Sequence, residues 1–267
     1  MPNNPRATSL NAILAVTRSR VAALQGRAGE LERAAGTAAP VRVFPRSPAA
    51  TIGVIAEVKR RSPSQGTIRE HLDPVGHARA YAHGGAVAIS VLTDEAHFGG
   101  SLEDLQRVAA AVSVPVLRKD FIIDEAQIHE ARVAGASAVL LIARIVSAER
   151  LRQLAARVRD CEMLPLIEIH AAGELEAALV AKPGLLGVNA RDLDTFAIDT
   201  RAAENLLRRI PAEVPVVAES GVETRGDVER LAGAGADFVL VGTSLARQTD
   251  PEEAVRALTG VARQPRK

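Results

Sequence analysis

The chain has 267 residues, 47% of them hydrophobic, and a formal net charge of +1 at pH 7. That length suits one large core, since roughly 250 residues is the usual size of a single βα barrel, and the near-zero charge removes the broad attraction that draws proteins to nucleic acid or anionic membranes. Aromatics at 2% with no Trp argue against stacking platforms for single strands, and the single Cys161 excludes an internal disulfide and fits a reducing compartment.

No apolar stretch approaches the ~20 residues that span a bilayer. The nearest, from Ala136 to Val146, is interrupted by Ser137 and Arg144. The opening MPNNPRATSL lacks a basic region followed by an apolar one. A soluble cytoplasmic protein, monomeric or weakly self-associating, is expected.

In chain order, residues 1–48 stand apart. Ala12 to Ala35 is rich in Ala, Leu, Arg and Glu with helical periodicity, and Pro40 and Pro45 follow it. This predicts an N-terminal helical extension over 1–48, capping a single-domain barrel over 49–267. After Ala50 a rhythm sets in of short β-branched runs, turns and amphipathic Ala-rich segments. Strands are expected at 52–58, 86–92, 114–119, 138–142, 163–168, 185–189, 214–218 and 237–241. Helices are expected at 73–83, 101–112, 124–134, 147–159, 171–182, 200–209, 224–233 and 251–262. Strand–helix alternation argues a parallel sheet, and eight units argue closure into a (β/α)8 TIM barrel. Gly135 and Gly235 lie where helices 124–134 and 224–233 should stop.

Several apolar runs end on a charge that never interrupts their middles. Thr51 to Ala56 runs into Glu57-Val58-Lys59, and Val114 to Leu117 into Arg118-Lys119-Asp120-Phe121. Met163 to Ile167 ends in Glu168, Leu185 to Val188 in Asn189 and Arg191, and Val214 to Ala218 in Glu219. Strand side chains alternate between faces. Glu57 therefore points with Lys59, Lys119 with Phe121, Asn189 with Arg191, Glu168 with Leu166, and Glu219 with Val217. If that common side is the barrel mouth, two Lys, one Arg, three Glu and an Asn meet in one cavity above an apolar plug. Arg118 and Asp120 fall on the opposite parity, toward the helices, where structural pairing is expected. The second and fourth strands carry no comparable cluster. Any single residue of the set reads equally well as a structural ion pair. The whole set reads better as a site, because burying this many charges costs several kcal/mol per ion unless they are paired.

Small-residue turns follow the last two strands: Glu219-Ser220-Gly221-Val222-Glu223-Thr224 and Val241-Gly242-Thr243-Ser244-Leu245. Barrels often hold phosphate there, on backbone N–H groups and a helix N-terminus. The same residues also serve ordinary turns and N-caps. The loop Arg60 to Gly66 exceeds a minimal βα connection and suits a mobile substrate loop or a solvated basic turn. The six His residues show no metal-ligand spacing, and no GxGxxG or GxxxxGK[ST] opens a helix. His77 and His83 fall on a helical pattern and are expected in solvent.

These strand-end motifs resemble the indole-3-glycerol phosphate synthase family. The matching segments are Ile55 to Ser64, Ser90 to Glu95 with Phe98 and Gly100, Leu117 to Phe121, Leu140 to Ala143, Leu166 to His170, Gly187 to Leu193, Ala218 to Gly221, and Val241 to Leu245. They cover about residues 50 to 250 in order. The resemblance implies a small phosphorylated substrate, 1-(2-carboxyphenylamino)-1-deoxyribulose 5-phosphate. Ring closure, decarboxylation and dehydration would give indole-3-glycerol phosphate, with no cofactor and no metal. It implies Lys119 as the acid for ring closure, with Lys59, Glu57 and Glu168 sharing the remaining acid and base steps in a division left open. Asn189, Arg191 and Glu219 would orient the substrate. Ser220, Gly221, Gly242 and Thr243 would hold the phosphate, Ser62 and Pro63 would flank the anthranilate, and Phe98 and Phe121 would supply apolar walls. Cations crowded in one mouth are expected to lower a lysine pKa.

Gln65 stands where the family more often has Lys, and the N-terminal segment matches poorly. A phosphoribosylanthranilate isomerase would want a Cys or Asp acid–base pair at strand ends, and the only Cys precedes a strand. A barrel retained as a non-catalytic scaffold would have lost one of Glu57, Lys59, Lys119, Glu168, Asn189 or Glu219.

Overall fold

The computed structural model describes residues 9–45, 50–264 and 266. Eight parallel strands close into a barrel in sequence order, the last pairing with the first. They are β1 (Gly53–Val58), β2 (Ala88–Leu92), β3 (Val116–Lys119), β4 (Ala138–Ile142), β5 (Leu164–Ile169), β6 (Leu185–Asn189), β7 (Val216–Glu219) and β8 (Phe238–Val241). Ile55 registers with Ala88 on one side and Leu240 on the other, which closes the ring. The strands read as continuous apolar runs because both their faces are covered. Ile55, Leu117, Leu140, Leu166, Val217 and Leu240 point inward and fill the lumen. Their neighbours Ala56, Val91, Val139, Leu141, Ile167 and Val239 face outward and pack under the surrounding helices.

The outer helices are Pro74–His83, Leu102–Ala111, Glu125–Val133, Ala148–Asp160, Leu175–Val180, Thr200–Leu207, Arg225–Gly233 and Pro251–Arg256. Gly135 and Gly235 adopt φ of +86° and +92° beyond two of them, a conformation that a Cβ disfavours. Most predicted boundaries hold within two or three residues. β3 and β7 start at Val116 and Val216 because Pro115 and Pro215 supply carbonyls to Ile89 and Leu186 but have no N–H. The helix expected at 171–182 is shorter, opening as a 3-10 turn at Ala172–Glu174. The last one ends at Arg256 rather than 262. Four elements lie outside the sequence expectation: a hairpin pairing Arg61–Ser62 with Gly66–Thr67, a 3-10 turn at Ala143–Ile145, and short helices Glu95–Phe98 and Thr243–Ala246. His83 is exposed as expected, whereas His77 is partly buried against Arg69 and Tyr81.

Two helices precede the barrel, α1 (Leu10–Gln25) and α2 (Ala28–Thr37). The expected division between residues 48 and 49 lies outside the described residues. Leu10, Ile13 and Leu14 of α1 join the luminal apolar cluster. Among the described residues, no helix is long and apolar enough to cross a membrane.

A buried ionic group fastens α1 to the strand ends. Arg118, 1% exposed, meets Asp120 at 3.1 Å and Glu130 at 2.8 Å, and donates to the Gln127 carbonyl at 2.7 Å. Asp120 also accepts from Thr93 at 2.6 Å and from Arg20 of α1 at 2.7 Å. Burial pushes the Asp120 carboxyl up, but Arg118 and Arg20 outweigh it and hold it below the usual carboxylate range. The opposite parity of Arg118 and Asp120 thus ends in mutual pairing. Arg118→Met leaves Asp120 with Arg20 and Thr93, takes the Arg118 partner from Glu130, and is expected to cost about 3–5 kcal/mol in urea unfolding. A loss under about 1 kcal/mol would show the pair to be dispensable.

Candidate active site

The luminal plug sets the floor of the site, because above it the inward positions become charged. On β1, Lys59 Nζ lies 3.0 Å from Glu57 Oε1. At the end of β3, Lys119 Nζ lies 3.2 Å from Glu168 Oε2 of β5 and 3.4 Å from Glu219 Oε2 of β7. All three carboxylates are almost fully buried: Glu57 3%, Glu168 1%, Glu219 2% exposed. Asn189, registered beside Glu219, accepts from the Ser220 hydroxyl at 2.8 Å and the Arg191 N–H at 3.0 Å.

Two glycines make room for these carboxylates. A Cβ on Gly187 would collide with Glu219 Oε1, and one on Gly242 would fall 2.5 Å from Glu57 Oε1. The glycine of the expected phosphate turn therefore also seats a carboxylate.

The electrostatics correct one expectation. Lys119 is not depressed by neighbouring cations. Burial opposes its charge, but Glu168, Glu219 and Glu57 outweigh burial and hold the ammonium well above the usual range. The two carboxylates facing it are unequal. Burial alone would raise Glu168, yet Lys119 and His170 hold it below the ordinary carboxylate value. Burial and the like charge of Glu168 push Glu219 up to about 8. Burial also lowers the Arg191 guanidinium from its ordinary value.

The loops close over this set. Ser220 and Gly221 take successive left-handed conformations, φ +69° and +73°, directly after β7. The Ser244 hydroxyl donates to the Val222 carbonyl at 2.9 Å, tying the loop after β8 to the loop after β7. The loop after β1 is anchored rather than a free basic turn. Arg60 pairs with Asp104, and Arg61 donates to the carbonyls of Glu95 and Ala96. Ser64 accepts from Arg191 at 3.2 Å, and Gln65 accepts from Arg247 at 2.7 Å across the mouth.

Every site residue expected from the sequence lines one cavity of about 1200 Å³, counting its open mouth: Glu57, Lys59, Ser62, Pro63, Phe98, Lys119, Phe121, Glu168, Asn189, Arg191, Glu219, Ser220, Gly221, Gly242 and Thr243. The Phe98 and Phe121 rings lie 6.2 Å apart on its wall. Other lining residues escaped the sequence reading. Leu10 and Ile13 come from α1, Phe196 from the loop after β6, and Asp94 from the end of β2. Asp94 is fully buried, caps the helix Glu95–Phe98 and lies 3.7 Å from Arg20, so the second strand does carry a charge at the mouth. Arg144 after β4 pairs with Asp192 and Asp194. His170, two residues beyond Glu168, was visible to the same parity rule that grouped Glu57 with Lys59.

Gly187→Ala pushes the Glu219 carboxylate away from Lys119. The expected result is a folded protein whose kcat falls by about tenfold or more, as for the loss of a positioned electrostatic partner. An unchanged rate would mean Glu219 can occupy another place without consequence.

A sequence profile described as "Indole-3-glycerol phosphate synthase" matches residues 10–258. The chain is 45% identical over 264 residues to the indole-3-glycerol phosphate synthase of Mycobacterium avium, covering 97% of this chain and 96% of that protein. It is 44% identical to that of Rhodococcus jostii, covering 97% of each. Among solved structures, a thiamine phosphate pyrophosphorylase from Pyrococcus furiosus superposes with a TM-score of 0.58 at 15% identity, over 78% of this chain and 93% of that one. That likeness speaks to the barrel alone. The profile match and the extent of these identities show that the chain belongs to the indole-3-glycerol phosphate synthase family.

Proposed function

We propose that this barrel converts 1-(2-carboxyphenylamino)-1-deoxyribulose 5-phosphate into indole-3-glycerol phosphate, carbon dioxide and water, a carboxy-lyase step of tryptophan biosynthesis. The observation that carries this reading is the Lys119 ammonium, buried at the cavity floor between Glu168 and Glu219. Ring closure brings the aromatic carbon that bears the carboxylate onto the ketone, whose oxygen becomes an alkoxide. Lys119 gives that oxygen its proton. A forming alkoxide is more basic than an amine, so a lysine held above its usual pKa still transfers readily.

Carbon dioxide then leaves and the ring regains aromaticity. Dehydration removes the new hydroxyl as water, with a proton from an acid, and takes a proton from the former methylene carbon to a base. Glu57, Lys59 and Glu168 are the groups for these two transfers. Lys59 and Glu57, 3.0 Å apart, already form a matched acid–base couple on the facing strand. Asn189, Arg191 and Glu219 orient the substrate. The loops carrying Ser220, Gly221, Gly242 and Thr243 take the phosphate, and Ser62, Pro63, Phe98 and Phe121 enclose the aromatic end. Leu10 and Ile13 on the cavity wall support the reading that the N-terminal helices cap the barrel as part of one domain. The chain works without a nucleic-acid or membrane partner, in the cytoplasm.

The direct test is the fluorescence of indole product when purified protein meets the carboxyphenylamino substrate. Lys119→Ala is expected to lower kcat by at least about 100-fold, the usual scale of a lost proton donor, while substrate still binds. Turnover within tenfold of the unaltered protein would remove Lys119 from that role. Glu168→Gln is expected to slow turnover strongly in a folded protein, and an unchanged rate would make Glu168 structural.

A further inference from the structure

We propose that His170, clamped between Glu168 and Glu174, is a positioning residue that fixes the Glu168 carboxylate toward Lys119 and so sets which of the paired carboxylates works as the base. This rests on the catalytic reading of the cavity given above.

His170 follows β5 directly and shares the parity of Glu168, so both side chains leave the strand on one side. Its side chain is 6% exposed, and Nε2 lies 3.2 Å from Glu168 Oε1. On the far side, Nδ1 lies 3.8 Å from Glu174 Oε2, and that same oxygen accepts the His170 backbone N–H at 2.7 Å. The N–H bond fixes Glu174, and Glu174 backs the ring. Neither ring nitrogen has an in-line hydrogen bond. Here the ring instead has a carboxylate at each end.

The consequence falls on Glu168. Its Oε2 faces Lys119 and its Oε1 faces His170, so a cation stands at each oxygen. Glu219 has only Lys119, at 3.4 Å, and both of its oxygens lack a hydrogen bond. Two buried carboxylates around one ammonium cannot both ionise at little cost, and the second cation decides which one does. The charged groups facing this unit are Lys119 on β3, Glu219 on β7, Glu174 on the turn after β5, and Arg144, which bears on Glu174 from the turn after β4. Burial would lower the ring's pKa, but Glu168 and Glu174 overturn this and raise it to about 9, so His170 is cationic at neutral pH.

The test pairs a variant with a measurement on the unaltered protein. His170→Asn removes the cation and keeps a small polar side chain. Its kcat at pH 7 is expected to fall about tenfold with KM within about twofold, the pattern of a change felt in the chemical step rather than in binding. An acidic limb from Glu168, which the unaltered protein does not show over its folded range, is expected to enter the variant's kcat profile, because Glu168 has lost a neighbouring positive charge and its pKa rises. A kcat profile superimposable on that of the unaltered protein overturns the proposal. A purely structural role would lower folded yield without adding such a limb. Should the variant fail to fold, 15N imidazole shifts of the unaltered protein decide. Both His170 nitrogens protonated at pH 7, with titration above about pH 8, support the proposal, and titration near the ordinary value of about 6.5 overturns it. An unaltered protein that makes no indole product contradicts the catalytic reading itself, and the imidazole titration still reports on His170 separately.

Discussion

Everything at the barrel mouth depends on burying the ammonium of Lys119. An isolated cation deep in an apolar-floored cavity costs several kcal/mol, and carboxylates must stand close enough to offset it. Glu168 does so at 3.2 Å, and Glu219 at 3.4 Å adds its charge only above about pH 8, from two strands that lie apart from β3 around the barrel. Their approach in turn requires that a neighbour give up its side chain. Gly187 vacates the space that Glu219 Oε1 occupies, and Gly242 does the same for Glu57. Inward Leu and Val residues just below complete the arrangement by excluding water.

Strand alternation separates this cavity group from a second, structural one. Four consecutive residues at the end of β3 serve both. Lys119 and Phe121 line the cavity wall, while Arg118 turns toward Gln127 and Glu130 on the helix outside. Asp120 joins Arg118 and draws in Arg20 of α1. The outer group therefore holds α1 against the mouth, and α1 supplies Leu10 and Ile13 to the cavity.

The eight-unit barrel was legible because a strand buried on both faces and a half-buried helix leave different apolar patterns. The inward charges were legible because period two is rigid: Glu57 with Lys59, Lys119 with Phe121, and Asn189 with Arg191 all line the cavity. Less was visible where geometry depends on partners distant in sequence. The state of Lys119 turned on Glu168 and Glu219, which lie 49 and 100 positions further along, so the expected depression by cations was reversed. Asp94 was passed over because the second strand shows no charge cluster, and only the structure places Arg20 of α1 beside it. The opposite shifts of Glu168 and Glu219 were hidden in the same way, since both end an apolar run and only their neighbours differ.

That inequality is the most exposed part of the account. Protein labelled with 13C at the glutamate carboxyls, followed through pH, measures it directly. The account predicts that Glu219 titrates near pH 8 while Glu168 remains ionised to the acidic limit of the folded state, and that replacing Lys119 with Met disturbs both signals. Two carboxyls titrating together near the ordinary value of about 4.3 would contradict it.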